Sequence, residues 1–223
     1  MELSPLLREF CASKNFHQIA DIILNKLELV VKNTHTFRIC EIEFYYFGAD
    51  HPDKYVHCSK TQLQSQVFYF HQYPNGTYKN GTYKGMDITL GHEEANVYFG
   101  VLIRSLLDNA TGAFIEGPCR SVNRVLELHG LTEIKQLLPK RELVPCFAPN
   151  ERLFLRHCAQ PEQPIWIGPR IGLSDKYPLF RALDYRCAVF PQRLKKERWT
   201  LREGFPACWR DPATTGDAPV NSA

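Results

Sequence analysis

The sequence predicts a single domain of mixed α/β class, on three observations. The chain has 223 residues, 44% hydrophobic and 12% aromatic, which is enough to bury one sizeable core. β-rich domains of this length are commonly single. Residues 38–47, RICEIEFYYF, form a β-branched and aromatic run that divides into two alternating faces, as a strand does. From Phe16 to Leu27, and again from Val122 to Leu128, apolar residues recur at intervals of three and four, as on one face of a helix. The domain is assigned to residues 1–210. Residues 211–223, rich in Pro, Ala, Thr and Gly, read as a disordered tail.

In chain order, residues 3–12 and 16–28 read as helices, Leu27 to Val31 as a short strand, Asn33-Thr34-His35 as a turn and Phe37 to Phe47 as the second strand of a hairpin. Residues 48–64 are loop-like, and Gln66 to Gln72 is a strand. A local repeat follows, Asn75-Gly76-Thr77-Tyr78-Lys79 and then Asn80-Gly81-Thr82-Tyr83-Lys84. Asn-Gly favours the positive φ of a type I′ turn, so two hairpin turns on a projecting ribbon are expected. Residues 86–90 and 97–107 read as central strands. Phe114 to Glu116 leads to Gly117-Pro118, which opens a helix ending at Gly130. A short helix and loop fill 131–150. Strands are expected at 152–157, 164–167 and 183–189, with a turn-rich loop at 168–174.

Charge excludes little. Twenty-seven basic and 24 acidic side chains leave a net charge of +3, which permits nucleic-acid binding without demanding it. Residues 1–15 carry Glu2, Arg8, Glu9 and Lys14 and show no signal-peptide core. No apolar run approaches the roughly 18 to 20 residues of a membrane span. Eight cysteines have no C-x-x-C pair, so no zinc ribbon or thioredoxin-type motif is expected, and Cys40 and Cys187 read as small buried residues. These features point to a reduced intracellular protein, in which the Asn-X-Thr sequons at Asn75, Asn80 and Asn109 are silent.

The strand at 38–47 carries the chemistry-bearing residues. Glu41, Glu43 and Tyr45 share one face, and the segment runs on to His57. Carboxylates, a ring and an imidazole at a strand end suit a hydrolytic site. A solvated acidic edge fits the same residues. Arg104 interrupts an apolar strand, so it either forms an ion pair or lines a polar cleft. Tyr78, Lys79, Tyr83 and Lys84 alternate as rings and cations, a pattern that suits stacking on bases and contact with phosphate and equally suits a solvated hairpin. Arg193, Lys195, Lys196, Arg198 and Arg202 surround Trp199 in a basic tract that reads as a phosphate-contact arm, a nuclear address or a solvated segment.

Five segments together resemble the alkyladenine (3-methyladenine) DNA glycosylases of the non-helix-hairpin-helix type. They are ADIILNKLELV, CEIEFYYFG with a downstream HCS, VLIRSLL, IEGPCRSVNRVLEL, and GPRIGLS with PLFRALDY. The resemblance runs from about residue 16 to 192 and lies in the order and spacing of the segments. It implies a single mixed α/β domain around a curved antiparallel sheet with flanking helices, acting as a monomer on DNA without a metal or cofactor. It implies that Glu43 is the general base for water attack on the N-glycosidic bond of an extruded purine, with Arg104 beside that water. Tyr45 and His57 match the rings that sandwich the flipped base. The segment 74–85 matches a base-displacing hairpin with phosphate-facing Lys79 and Lys84, where Tyr78 or Tyr83 supplies a third ring.

Two departures stand out. The family carries a tyrosine just before the hairpin glycine as its wedge, and here Asn80 precedes Gly81. The family has an asparagine after a methionine at the base-discriminating position, and here Asp87 follows Met86. An ionised aspartate only accepts hydrogen bonds, so it favours a base that presents N–H donors, guanine-like or protonated. The resemblance therefore implies a DNA glycosylase of altered substrate range. A glycosidase acting on single-stranded DNA, RNA or a free nucleotide and a non-catalytic reader of modified bases are the alternatives.

Overall fold

A computed structural model describes residues 16–140 and 142–204. The helix expected at 3–12, Cys11, Cys208, Trp209 and the tail from 211 lie outside the described residues. The described part begins with α1 (Phe16–Asp21), which continues through a π-helical turn at Ile22–Lys26. It then alternates short strands and helices. The strands are β1 (Leu27–Val31), β2 (His35–Gly48), β3 (His51–Pro52), β4 (Ser65–Phe70), β5 (Met86–Leu90), β6 (Tyr98–Asp108), β7 (Phe114–Glu116), β8 (Val144–Pro145), β9 (Leu153–His157), β10 (Trp166–Gly168), β11 (Arg186–Ala188) and β12 (Arg202–Glu203). The remaining helices are α2 (Pro118–Leu128), α3 (Ile134–Leu137) and α4 (Pro178–Arg181).

The fold is mixed α/β, with one large antiparallel sheet and a few helices. Its path runs β12-β10-β11-β2-β6-β5-β4-β8. The hub is β2. One edge pairs with β6 over almost its whole length, from Phe37↔Asp108 to Phe47↔Tyr98. The other edge takes three partners in succession: β1 beside His35 to Arg38, β11 beside Glu41 to Glu43, and β3 beside Phe47 and Gly48. A 14-residue strand so enclosed is almost wholly buried.

The apolar face of β2 holds the core. Phe16 of α1 stacks on Phe44 with centroids 4.9 Å apart, meets Tyr185 edge-on at 5.1 Å, and lies 5.6 Å from Phe99. Offset and edge-on ring pairs of this kind add to the stabilisation from buried area. Helix α2 buries Val122, Val125 and Leu126 against the same core. Cys40 and Cys187 are fully buried within it, and burial pushes the Cys40 thiol up to about 12. Among the described residues Cys40, Cys58, Cys119, Cys146, Cys158 and Cys187 are free thiols. No helix among the described residues is long and apolar enough to cross a membrane.

The strands at 27–31, 35–48, 65–70, 86–90 and 98–108 fall where alternation and β-branching place them. The Asn-Gly repeat differs. Of its four residues only Gly76 and Gly81 take positive φ, and Asn80 lies at −112°. Asn75 Oδ1 accepts from the Thr77 amide at 3.0 Å, closing a local Asx turn that leaves no need for a type I′ turn. The segment makes one antiparallel bridge, Gln72↔Tyr78, and then a 3₁₀ turn at Gly81–Tyr83. The two successive positive-φ residues of a tight hairpin occur instead at Lys32 and Asn33, between β1 and β2, with φ of 54° and 59°.

Candidate functional site

Glu41 and Glu43 leave β2 on one face, as alternation requires. Opposite them the register of β6 breaks. Glu41 faces Ser105 and Ile42 faces Ile103, so Arg104 is the extra residue of a bulge. The bulge turns its guanidinium toward both carboxylates, with Nε 3.3 Å from Glu41 Oε1 and Nη1 3.1 Å from Glu43 Oε2. Arg186 arrives from β11, placing Nε 2.7 Å from Glu41 Oε1, and the Ser105 hydroxyl donates to Glu41 Oε2. All five side chains are buried. Two carboxylates thus meet two guanidiniums, the balance that lets buried charges persist. Burial works against the Arg104 cation, but Glu43 and then Glu41 outweigh it and hold the group firmly protonated.

Glu43 is enclosed by donors. Its Oε1 accepts from the Ile171 amide at 2.7 Å, and its Oε2 accepts from the Tyr45 hydroxyl at 3.0 Å as well as from Arg104. Burial first, and then the Glu43 charge, pushes the Tyr45 phenol well above its ordinary range, so it remains a donor. Arg170, one residue before Ile171, forms an ion pair with Asp53 at 2.7 Å and lies over the Tyr45 ring, 4.6 Å from its centroid. The same guanidinium donates to the Phe44 and Phe180 carbonyls.

A cavity of about 130 Å³ lies on the outer side of Tyr45. A cavity of roughly 150 Å³ takes one small aromatic ring, so this one takes one ring and its edge from a two-ring base and leaves the other ring toward the mouth. Tyr45, Tyr55 and Leu173 form one part of its wall, and His57, His71, Gln62 and Asp87 form the rest. The His57 and His71 rings meet edge-on at 4.5 Å. His71 Nε2 lies 2.7 Å from Asp87 Oδ1, and Gln62 Nε2 donates to Asp87 Oδ2 at 3.3 Å. Burial among these groups, with His71 and Lys79 adding to it against Asp87, pushes His57 down to about 4, although one side of the residue faces solvent. A neutral His57 accepts at Nε2 from Lys79 Nζ, 3.0 Å away. Its Nδ1 then carries the proton and donates to the Tyr69 hydroxyl at 3.3 Å.

Five of the residues singled out in the sequence therefore assemble at or behind one cavity. Tyr45, His57 and Asp87 line it, and Glu43 sits one side chain behind, reached through Tyr45, with Arg104 beyond. The hairpin residues divide. Lys79 reaches the cavity through His57. Tyr78 is half-buried and packs against the main apolar core rather than lining the cavity. Asn80 is exposed at the start of the 3₁₀ turn, Tyr83 projects from it at 71% exposure, and Lys84 Nζ donates to Asn123 Oδ1 on α2 at 2.9 Å. Five further residues shape the site without being marked by the sequence: His71, Gln62, Tyr55, Arg170 and Arg186. His71 is the penultimate residue of the expected strand QVFYFHQ, and Arg170 lies within the segment GPRIGLS; these are the signals the sequence offers.

Comparison with known proteins adds a relationship. The chain is 42% identical over 200 residues to a protein of Acanthamoeba polyphaga mimivirus named "Uncharacterized protein L759", an alignment covering 84% of this chain and 92% of the viral one. The chain belongs to the family of that viral protein. No protein-family model matches the sequence. The family is thus defined by full-length similarity, and a reading of its chemistry rests on the site itself.

Proposed function

We propose that the protein is an N-glycosidic hydrolase that releases a modified purine from DNA. The observation that carries this reading is the buried Glu43–Arg104 pair standing directly behind Tyr45, which walls a ring-sized cavity with His57, His71 and Asp87. In the reaction Glu43 takes a proton from water as the water oxygen bonds to the anomeric carbon. The bond from that carbon to the base nitrogen breaks, and its electron pair leaves with the base. Arg104, held protonated beside it, pairs with the Glu43 carboxylate at 3.1 Å. The imidazoles and Tyr45 offer flat surfaces to an extruded base. In this reading Tyr83, exposed on its 3₁₀ turn, is the ring that fills the gap such a base leaves, and Lys79 and Lys84 of the same segment are the phosphate contacts. The exposed Lys195, Lys196 and Arg198 support a nuclear address.

A second reading, a modified-base reader without catalysis, is favoured by one observation. Glu43 has no exposed surface and already accepts from Ile171, Tyr45 and Arg104, so water must displace a donor to reach it. The two readings separate in one experiment. Single- and double-stranded oligonucleotides carrying alkylated, deaminated and oxidised purines, together with the corresponding free nucleotides, are incubated with the full chain and with Glu43→Gln. Release of a base that is lost in Glu43→Gln supports the hydrolase, and activity on single strands or nucleotides alone narrows its substrate. Binding without release from any substrate supports the reader.

A further inference from the structure

The cavity is asymmetric in what it offers a ligand. Most polar atoms on its wall are already engaged. The Tyr45 hydroxyl donates to Glu43, and the Tyr55 hydroxyl accepts from the Tyr177 amide while donating to the Ser174 carbonyl. Both nitrogens of His57 are occupied, and Gln62 Oε1 accepts from the Ser59 amide. Asp87 differs. Its carboxylate has about four accepting positions, and His71 and Gln62 fill one on each oxygen. By that count each oxygen keeps one accepting position, on a side chain that lines the cavity and is otherwise covered.

The carboxylate is also fixed in place. A Cβ on Gly100 would stand 2.5 Å from Asp87 Oδ2 and 2.8 Å from Gln62 Nε2, and a Cβ on Gly85 would stand 2.5 Å from the His71 ring. The acid and the two groups that hold it therefore pack against bare backbone, with no room to swing away. A carboxylate held this way pairs best with two parallel N–H donors, as it does with a guanidinium.

We infer that the cavity selects a base with two adjacent N–H donors on one edge, a guanine-type base, and that Asp87 is the residue that reads them. A guanine edge brings its ring N–H and its exocyclic amino group to the two oxygens. Hypoxanthine brings one donor. Adenine brings a ring nitrogen lone pair against the carboxylate, and that contact is repulsive. The inference rests on the cavity being a base pocket, as proposed above, but not on whether the base is released.

The test is binding of guanosine, inosine and adenosine to the full chain by calorimetry, with Asp87→Asn alongside. Guanosine is expected to bind about tenfold or more tightly than adenosine, the discrimination typical of one bidentate pair, with inosine between them. Asp87→Asn, whose amide donates as well as accepts, is expected to flatten the series. Adenosine binding as tightly as guanosine to the unaltered chain overturns the inference, as does failure of all three to bind. If Asp87→Asn does not fold, the order of the three nucleosides on the unaltered chain still decides. Guanosine preference without base release keeps this inference and sinks the hydrolase. Glu43-dependent release of adenine-type bases does the reverse.

Discussion

Arg170 and Asp53 form an ion pair at 2.7 Å in which neither side chain reaches solvent. The contact is one of charge more than of aligned hydrogen bonding, since Asp53 Oδ2 has no hydrogen-bond partner of good geometry. The pair binds the loop after β3 to the loop after β10. Through the ring of Tyr45 it fixes the wall between Glu43 and the cavity. Arg170→Met leaves the Asp53 charge buried without its cation, with only the Tyr55 amide donating to Oδ1 at 3.0 Å, and is expected to cost about 3 to 5 kcal/mol. Adding Asp53→Asn should recover part of that loss. Urea denaturation of the two single variants and the double variant measures the coupling, and strictly additive losses would show that the pair does not act as a unit.

Glu43→Gln preserves shape and leaves Arg104 paired with Glu41. It is expected to lower base release by about 10²- to 10⁴-fold, the usual contribution of a general base, while nucleic-acid binding stays within a few-fold. Single-turnover release and a binding isotherm on the same substrate separate the two effects. Unchanged release would remove Glu43 from the mechanism.

His57 gives the fold a pH dependence with a definite sign. Its pKa in the folded chain is pushed down to about 4 from an ordinary 6.5. Between those values the unfolded chain binds a proton that the folded chain refuses, so stability falls as pH drops through that window and is fully present above it. Solvent on the exposed side of the residue screens the effect, to on the order of 1 kcal/mol. Thermal melts from pH 7 to pH 4 should show the decline, and His57→Gln should make that part of the curve shallower. A variant with the same slope would assign the loss to other groups.

Gly100 faces Asp87 across the β5–β6 pairing, where Thr89 is its partner in register. Gly100→Ala puts a methyl group 2.5 Å from Asp87 Oδ2, so the carboxylate must move. The expected costs are about 1 to 3 kcal/mol of stability, typical of an overpacked site, and a loss of affinity for whatever base the cavity holds. Melting temperature and nucleoside binding measure the two together. Intact affinity would show that the position of Asp87 does not matter to the ligand.

Alternation alone puts Glu41, Glu43 and Tyr45 on one face of β2, because side chains along a strand have a period of two. The charge of Arg104 in an apolar strand marks it in the same way. Its direction is not legible, because the bulge that aims it depends on the pairing of β6 with β2 and not on either strand alone. Arg170 and Arg186 lie beyond local reading for a related reason. They meet Phe44, Tyr45 and Glu41 across more than 120 residues of chain, and no local pattern records such a partnership. The Asn-Gly repeat misleads because the Asn75 side chain satisfies the turn locally. The strand positions are legible from composition and period, whereas the closed wall around Glu43 depends on the β6 bulge and on the loop that carries Arg170 and Ile171.

The three-part edge of β2 also sets an order of events during synthesis. Its first partner, β1, leaves the ribosome before it. Its second, β11, ends at Ala188, about 140 residues after β2 itself has emerged. Until then the segment from Glu41 to Glu43 has no neighbour on that side, and Glu41 lacks the guanidinium of Arg186. An open strand edge invites pairing with other chains, and here it carries two negative charges that discourage it. The acids that later stand behind the cavity thus guard the growing chain first.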